Sequence, residues 1–364
     1  MAPIGPIALT EPSAESNARR EERFNTVDPL SYPGWDSLLS AHRHGSFFHG
    51  VAWARVLHDT YGHRPSYICR IADSGLQALL PIMEVSSWLT GRRGVSLPFT
   101  DICPALKATP ADRALYDVAL EFGRKRGWRY FESRNNSADW PGAQPSVSFY
   151  GHAIDLQGGP EAVFKRFSSA LRRGIRKAQD QGVQIEFDAR PETISLYYSL
   201  HCRTRRKHGV PPQPFRFFEN IGRHVFGPGQ GFVAVARLAS KPIAAAVFFH
   251  HGHQAFYKFG ASDYRLQHLR PNNLLMWEAM KRFAAEGFEF VHLGRTSLSN
   301  EGLRRFKLGL GAAEETIRYA KYDLKREAFV RDIDRSEQPI KRLFGYLPSS
   351  LFRLVGRLLY PHLS

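Results

Sequence analysis

The chain has 364 residues, with 50 Lys and Arg against 34 Asp and Glu, a formal net charge of +16, 43% apolar residues and 23% charged ones. That leaves room for two ordinary domains with full cores and excludes a wholly disordered chain, while the positive surplus predicts an anionic partner: nucleic acid, a phosphate-bearing small molecule or an acidic membrane surface. Cys69, Cys103 and Cys202 lie far apart without metal-ligand spacing and leave one unpaired in any disulfide scheme, which points to a reducing cytoplasm.

Residues 1–22, rich in Pro, Ala, Ser and Glu, read as a disordered leader without the basic start and apolar core of a secretory signal, and no stretch reaches transmembrane length. From Phe47, FFHGVAWARVLHDTYGHRPSY predicts a helix over 53–61 that ends at Gly62, followed by a strand over 67–72. Asp73-Ser74-Gly75 turns into a strand over 76–85, in which Pro81 implies an edge position or a bulge. A strand over 95–99 reaches Thr100-Asp101, a helix over 110–126 stops at Gly127, and 128–133 is again a strand. The second half repeats this order: a meander over 232–238, 243–250 and 255–259, a helix over 271–286 and a strand over 288–293. Both helix-to-strand junctions read glycine, aromatic, charge, aromatic, at Gly127-Trp128-Arg129-Tyr130 and Gly287-Phe288-Glu289-Phe290. The pattern predicts two copies of one mixed α/β unit, over 23–155 and 156–325, and a tail over 326–364.

Between the halves, FKRFSSALRRGIRKAQDQGV predicts a helix with Arg172, Arg173, Arg176 and Lys177 clustered on one side and Phe164, Phe167 and Leu171 on a core-facing stripe. Cations that close repel one another unless an anion is near. The richest stretch is FEFVHLGRTSLSNEGLRRFKLGLG, over 288–311. Its strand carries Phe288, Phe290 and His292 on one face and ends at Gly294. Ser299 or Asn300 caps a short helix that buries Leu303 and Phe306, and Gly309 closes it in the left-handed conformation. Lys307 is thereby held near a helix end, and a held lysine suits a developing negative charge. Asp101, at a strand end, is the candidate base for an attacking amine. His250, His251 and His253 lie at a strand turn without a metal motif, so no metal is expected.

The runs YKFGASD, PNNLLMWEAM and LGRTSLSNEGLRRFKLGLG, with FFHGVAWARVLHDTYGHRP, LLPI and VSLPFTDICPAL in the first half, resemble the Fem-type peptidoglycan aminoacyltransferases. The resemblance is closer to relatives of these enzymes from exopolysaccharide gene clusters, within the GNAT superfamily, and spans 47–322. It implies an α/β fold of two tandem GNAT-like domains, and transfer of an acyl or aminoacyl group onto an amine of a cell-envelope or exopolysaccharide precursor, with no tightly bound cofactor. It puts Lys307 where the family keeps a lysine facing the acyl donor, sets Tyr257 and Lys258 in a strand lining the acceptor cleft, and makes Arg295 and Arg304 phosphate contacts. Arg172, Arg173 and Arg176 would grip further phosphates. Two positions depart: His292 stands where the family has Asp, and Leu310 where nearer relatives have Trp. The donor stays open between aminoacyl-tRNA and acyl-CoA. FKLGLG lacks the Gln or Arg that opens the acetyl-CoA pyrophosphate motif, and no sustained heptads form the arm with which some Fem enzymes hold tRNA. The alternative is a non-catalytic basic module for RNA or anionic polysaccharide, with steeply salt-dependent binding.

In the tail, PIKRLFGYLPSSLFRLVGRLLYPHLS over 339–364, Leu351, Leu354, Val355, Leu358 and Leu359 form an apolar stripe beside Arg353 and Arg357. No acid follows Glu337. This predicts an amphipathic helix that makes peripheral contact with the anionic inner face of the cytoplasmic membrane, where a phosphate-bearing or lipid-linked acceptor would be met. Packing of the stripe on one of the domains is the other solution.

Overall fold

The computed structural model describes residues 24–107, 114–134, 137, 140–332, 344 and 347–363; the expected leader over 1–22 and the start of the helix expected over 110–126 lie outside them. The first half runs β1 (Asn25–Val27), α1 (Trp35–Ser40), α2 (Val51–Tyr61), β2 (Arg64–Pro65), β3 (Tyr67–Ala72), β4 (Gly75–Leu80), β5 (Met83–Ser87), β6 (Gly91–Val95), β7 (Leu106–Lys107), α3 (Ala114–Arg126), β8 (Tyr130–Ser133) and β9 (Pro145–Asp155). The second runs α4 (Gly159–Arg166), α5 (Ser169–Asp180), β10 (Val183–Asp188), α6 (Pro191–Lys207), α7 (Phe215–Ile221), β11 (Gly231–Leu238), β12 (Lys241–His251), β13 (Gln254–Ser262), α8 (Pro271–Ala285), β14 (Phe290–Ser297), α9 (Glu301–Gly309), β15 (Ala313–Asp323), β16 (Ala328–Phe329) and α10 (Ser349–Leu359).

A small sheet has the order β1-β3-β4-β7, and one large sheet has the order β10-β11-β12-β13-β14-β9-β15-β8-β6-β5-β2, with β16 on β15. The large sheet passes through both halves without a break, because β9 pairs with β14 on one side and β15 on the other. Each half keeps the same core unit, a strand, a helix and a parallel strand: β6-α3-β8 and β13-α8-β14. The two helices also end alike. Gly127 and Gly287 take positive φ of 70° and 81°, and Trp128 and Phe288 donate backbone N–H to Gly123 and Phe283, five residues back. This is the Schellman closure that the repeated glycine-aromatic motif encodes.

Alternation along β11 and β12 gives the large sheet two covered faces. Val233, Val235, Val247 and Phe249 face one core with Trp53 of α2, Tyr197 of α6 and Phe217 of α7. Phe232, Ala234, Ala246 and Phe248 face the other, with Ile175 of α5 and Leu275 and Phe283 of α8. Phe47 stacks 4.6 Å from Phe249 and Phe48 lies 5.2 Å from Phe256, so aromatic rings fasten the first half onto the second.

Several local expectations change. Residues 76–85 are two strands, β4 and β5, in different sheets: Pro81 cannot donate to a ladder, and the chain changes sheets there. The strand expected over 95–99 ends at Val95, because Leu97 and Phe99 have φ of 59° and 58°. The basic helix is broken into α4 and α5, with Phe167 extended and the Ser168 side chain capping Leu171 N–H. Gly294 does not end β14 but forms a bulge within it, and Gly311 rather than Gly309 takes the left-handed conformation. On α9, Asn300 is the cap, while Leu303 is exposed and Lys307 is buried.

Candidate active site

β13 and β14 pair only from Gln254–Phe290 to Phe256–His292, after which β14 holds to β9 alone. The strands part there, and a cavity of about 460 Å³ opens at the gap, lined by Asp101, Arg134, His201, Arg205, Lys258 and Arg295 among others. Three bends aim the charged groups into it. Lys258 is the extra residue of a bulge between β12 and β13. Arg295 follows the bulge at Gly294, whose φ is 68° and where a Cβ would lie 2.8 Å from the Asp101 carboxylate. Asp101 ends the segment after β6 in which Leu97 and Phe99 hold positive φ, a cost repaid by fixed partners. Arg134 donates to the Leu97 and Thr100 carbonyls at 3.3 and 3.2 Å, and the Trp53 indole donates to Thr100 Oγ1 at 3.1 Å.

Among the described residues Asp101 is the one carboxylate in the lining, while Glu132 behind it pairs with Arg134 at 2.9 Å. Lys258 Nζ lies 3.0 Å from Asp101 Oδ2 and Arg295 Nε 3.9 Å from Oδ1. Tyr319 accepts from Arg295 at 3.0 Å and donates its hydroxyl to the Asp101 carbonyl. Burial pushes the Asp101 carboxyl up, but Lys258, Arg295 and Lys307 outweigh it and hold the group below its ordinary range. Asp101 is therefore a weak base, contrary to the role expected for it. Burial lowers the Lys258 ammonium, only partly offset by Asp101. Lys258 also sits among the rings of Phe48, Trp53 and Phe259, at 5.4, 5.8 and 5.4 Å from their centroids. Lys307, 3% exposed, donates to the Gly294 and Arg295 carbonyls at 2.9 and 3.2 Å, and burial brings its pKa down to about 8 against the pull of Asp101.

The expected residues thus divide. Asp101, Lys258 and Arg295 share the cavity, whereas Lys307 does not line it and instead grips the bulge behind Arg295. Tyr257 points to the opposite face from Lys258: its ring packs 5.6 Å from Phe248 and its hydroxyl fills the space that a Cβ on Gly260 would take. Among the described residues no hydrogen bond joins Tyr257 to Lys307. Arg304 is not a free phosphate contact, because Glu314 accepts both its Nε and its Nη2 at 2.8 Å while the guanidinium lies 4.2 Å over Tyr150. His292 stacks 5.0 Å from Phe256, an aromatic contact where the resembled family has a carboxylate.

A second cavity, about 530 Å³, lies on the α8 face between α5, α8 and α9, lined by Arg173, Lys177, Arg270, Asn273 and Arg305, with no carboxylate among the described residues. Arg173 thus meets a site, while Arg172 and Arg176 lie off it. Gly174 lets α5 approach α8, since its Cβ would stand 2.3 Å from Asn273 Nδ2. Sequence reasoning missed Arg134 and His201 of the first cavity and Arg270 of the second, whereas Arg205 belongs to a basic run over 203–208 that the sequence shows openly. For Arg270 there was a signal in the sequence, its place immediately before Pro271, which marks the first position of α8; the structure adds that it is left-handed, with φ 60°. Among the described residues no group of His, Cys, Asp or Glu is arranged to hold a metal ion, and no helix is long and apolar enough to cross a membrane.

A family model described as an acetyltransferase (GNAT) domain matches residues 165–316. Among solved structures the fold is similar to FemX, at 14% identity and a TM-score of 0.66 over 84% of this chain and 98% of that one. It is also similar to a tandem GNAT protein from the clavulanic acid biosynthesis pathway, at 11% identity and 0.50 over 83% and 98%, and to L-PGS from Bacillus licheniformis, at 13% and 0.50 over 84% and 96%. No curated protein matches the chain by sequence. The fold is that of two tandem GNAT-like units.

Proposed function

We propose that the chain moves an acyl or aminoacyl group from aminoacyl-tRNA or acyl-CoA onto an amine of a phosphate-bearing or lipid-linked cell-envelope or exopolysaccharide precursor. The observation that carries this reading is the Lys258–Asp101–Arg295 cluster on a cavity at the gap between β13 and β14. The groove at the start of α8 lies on the other face, where helix N–H groups and the side chains of Arg173, Lys177, Arg270 and Arg305 suit the phosphates of either donor. The acyl group then reaches the acceptor through the gap, and Arg205, with no carboxylate partner among the described residues, favours an acceptor with negative charge of its own.

The attacking nitrogen arrives neutral, forms the new N–C bond and releases the ribose oxygen of tRNA or the thiol of CoA, which ends with the proton shed by the amine. Lys258 and Arg295 face the carbonyl oxygen as it gains charge. Asp101 orients both cations, and Lys307 is a positioning residue that fixes the bulge from which Arg295 projects. Exposed leucines on α10 support peripheral contact with an anionic membrane on the cytoplasmic side.

The test incubates the full chain with radiolabelled acetyl-CoA or alanyl-tRNA and a panel of amine-bearing sugar nucleotides and glycolipids. Transfer from one donor that drops roughly 10²-fold in Arg295→Ala supports the reading. Absence of transfer from both donors, with RNA binding that is steep in salt and untouched by Arg295→Ala, replaces it with the binding-module alternative.

A further inference from the structure

A third cavity lies apart from both of these, between α6, α7 and α10, with a volume of about 790 Å³. Arg203 and Arg206 reach it from α6, Arg353 and Arg357 from α10, and no carboxylate belongs to its wall among the described residues. Tyr198, Phe215, Phe352 and Leu354 supply an apolar side, and Cys202 lies in the lining. The cations are only partly engaged. Arg203 has a 3.6 Å ion pair with Asp263, Arg206 donates to the Leu347 carbonyl at 2.9 Å, and Arg353 donates to the Ser349 carbonyl at 3.3 Å. Arg357 has no hydrogen bond or ion pair among the described residues.

On α10 the arginines and an exposed apolar stripe are neighbours. The helix buries Phe352 beneath Arg206 of α6 and Gly356 on the Pro211-Pro212 loop, where a Cβ would stand 2.0 Å from the Pro212 carbonyl oxygen, and Tyr360 beyond it meets Phe99 of the first half. Leu351, Leu354 and Leu358 stay exposed, Leu358 at 60%, and Leu354 forms the lip between the stripe and the cavity. Past the end of α10, His362 meets the ring of Trp88 at 5.5 Å and accepts or donates at Ser87 Oγ, 2.9 Å away. Trp88, 87% exposed, and Leu89 cap the β5–β6 hairpin there, so exposed apolar side chains run from the arginine cavity to that hairpin.

We propose that the α6–α10 cavity binds the phosphate headgroup of an anionic amphiphile, whose chains leave over Leu354 along the stripe toward Trp88. The charge of the wall selects a phosphate, and the apolar lip selects a phosphate that carries a chain over a free one. This deepens the membrane-contact part of the proposed function but stands independently of the transfer chemistry, since it uses none of the residues on the gap between β13 and β14.

Cys202 provides the readout, because Cys69 and Cys103 are fully buried. The full chain is alkylated with N-ethylmaleimide and the Cys202 peptide followed by mass spectrometry, with and without dihexanoyl phosphatidate or inorganic phosphate. The expected result is at least tenfold slower labelling with the short-chain phosphatidate, little change with phosphate, and loss of protection in Arg353→Ala/Arg357→Ala. Equal protection by inorganic phosphate overturns selection for an amphiphile. Protection by neither compound, or protection unchanged in the double variant, overturns the site. Flotation on phosphatidylcholine vesicles with and without phosphatidylglycerol separates the two membrane ideas. Leu351→Ser/Leu358→Ser is expected to lose flotation while keeping protection by soluble phosphatidate; if it loses neither, the stripe is not the path of the chains.

Discussion

Lys307 titrates inside the range where an enzyme is assayed, and this gives two effects of opposite sign. Its pKa in the folded chain is about 8, below the ordinary 10.5, so as pH rises from about 8 the folded chain sheds this proton before the unfolded chain does. Its contribution to stability therefore rises across that window, as the cost of a buried charge disappears. The positive potential at Asp101 falls over the same window, and with it the anchoring of Arg295. We expect transfer to show a falling limb near pH 8 that is absent from the residual activity of Lys307→Met, while wild-type stability gains on the variant between roughly pH 8 and 9.5. Coincident pH profiles for the two proteins would remove Lys307 from the account. Asp101 gives a second prediction at this scale. Removing it leaves the Lys258 ammonium, with 4% of its side chain exposed, without its anion. Because Asp101 is itself partly open to water, Asp101→Asn is expected to cost about 2 kcal/mol in denaturant unfolding rather than the larger value of a fully buried pair. An unchanged midpoint would mean that the ion pair does not hold the cavity together.

The element that fixes the geometry is β14 with its bulge, where Leu293 and Gly294 oppose the single residue His152 of β9. Gly294→Val would meet both a left-handed φ and the Asp101 carboxylate 2.8 Å from its Cβ. We expect it to lower transfer more than tenfold with a stability loss of about 1–2 kcal/mol, the ordinary penalty of that backbone region. Full activity in this variant would show that the bulge can relax without moving Arg295. Much of this stretch was legible in the sequence: the strand, the Asn300 cap, the short helix and Lys307 on it follow from local patterns. The burial of Lys307 in place of Leu303 was not legible, because it depends on two carbonyls that the bulge turns toward α9. Alternation could have separated Tyr257 from Lys258, but the shared cavity of Asp101, Arg134, His201 and Lys258 joins residues up to 157 positions apart and has no local signature. Arg304 failed for the same reason, since its partner Glu314 sits on the next strand and looks like any exposed acid in the sequence.

At the scale of the molecule, the repeat suggests halves that could be separated, and the sheet says otherwise. β9 belongs by sequence to the first half, yet it lies between β14 and β15 and gives both of them their antiparallel partner. β15, from the end of the second half, in turn pairs with β8 of the first. A fragment over 156–332 therefore has β14 open along one side and β15 stripped of both β9 and β8, with unpaired backbone groups on two long strands. A fragment over 144–332 restores β9 and closes the sheet from β10 through β15. The expectation is that the shorter fragment aggregates or lacks a cooperative melt, that the longer one recovers one, and that the full chain unfolds in a single transition despite its two GNAT-like units. Far-UV circular dichroism and limited proteolysis on the three proteins decide this. A cooperative melt of 156–332 equal to that of 144–332 would show that β9 is dispensable to the second unit. The junction of the halves would then be a surface contact, and the gap between β13 and β14 would be shaped without it.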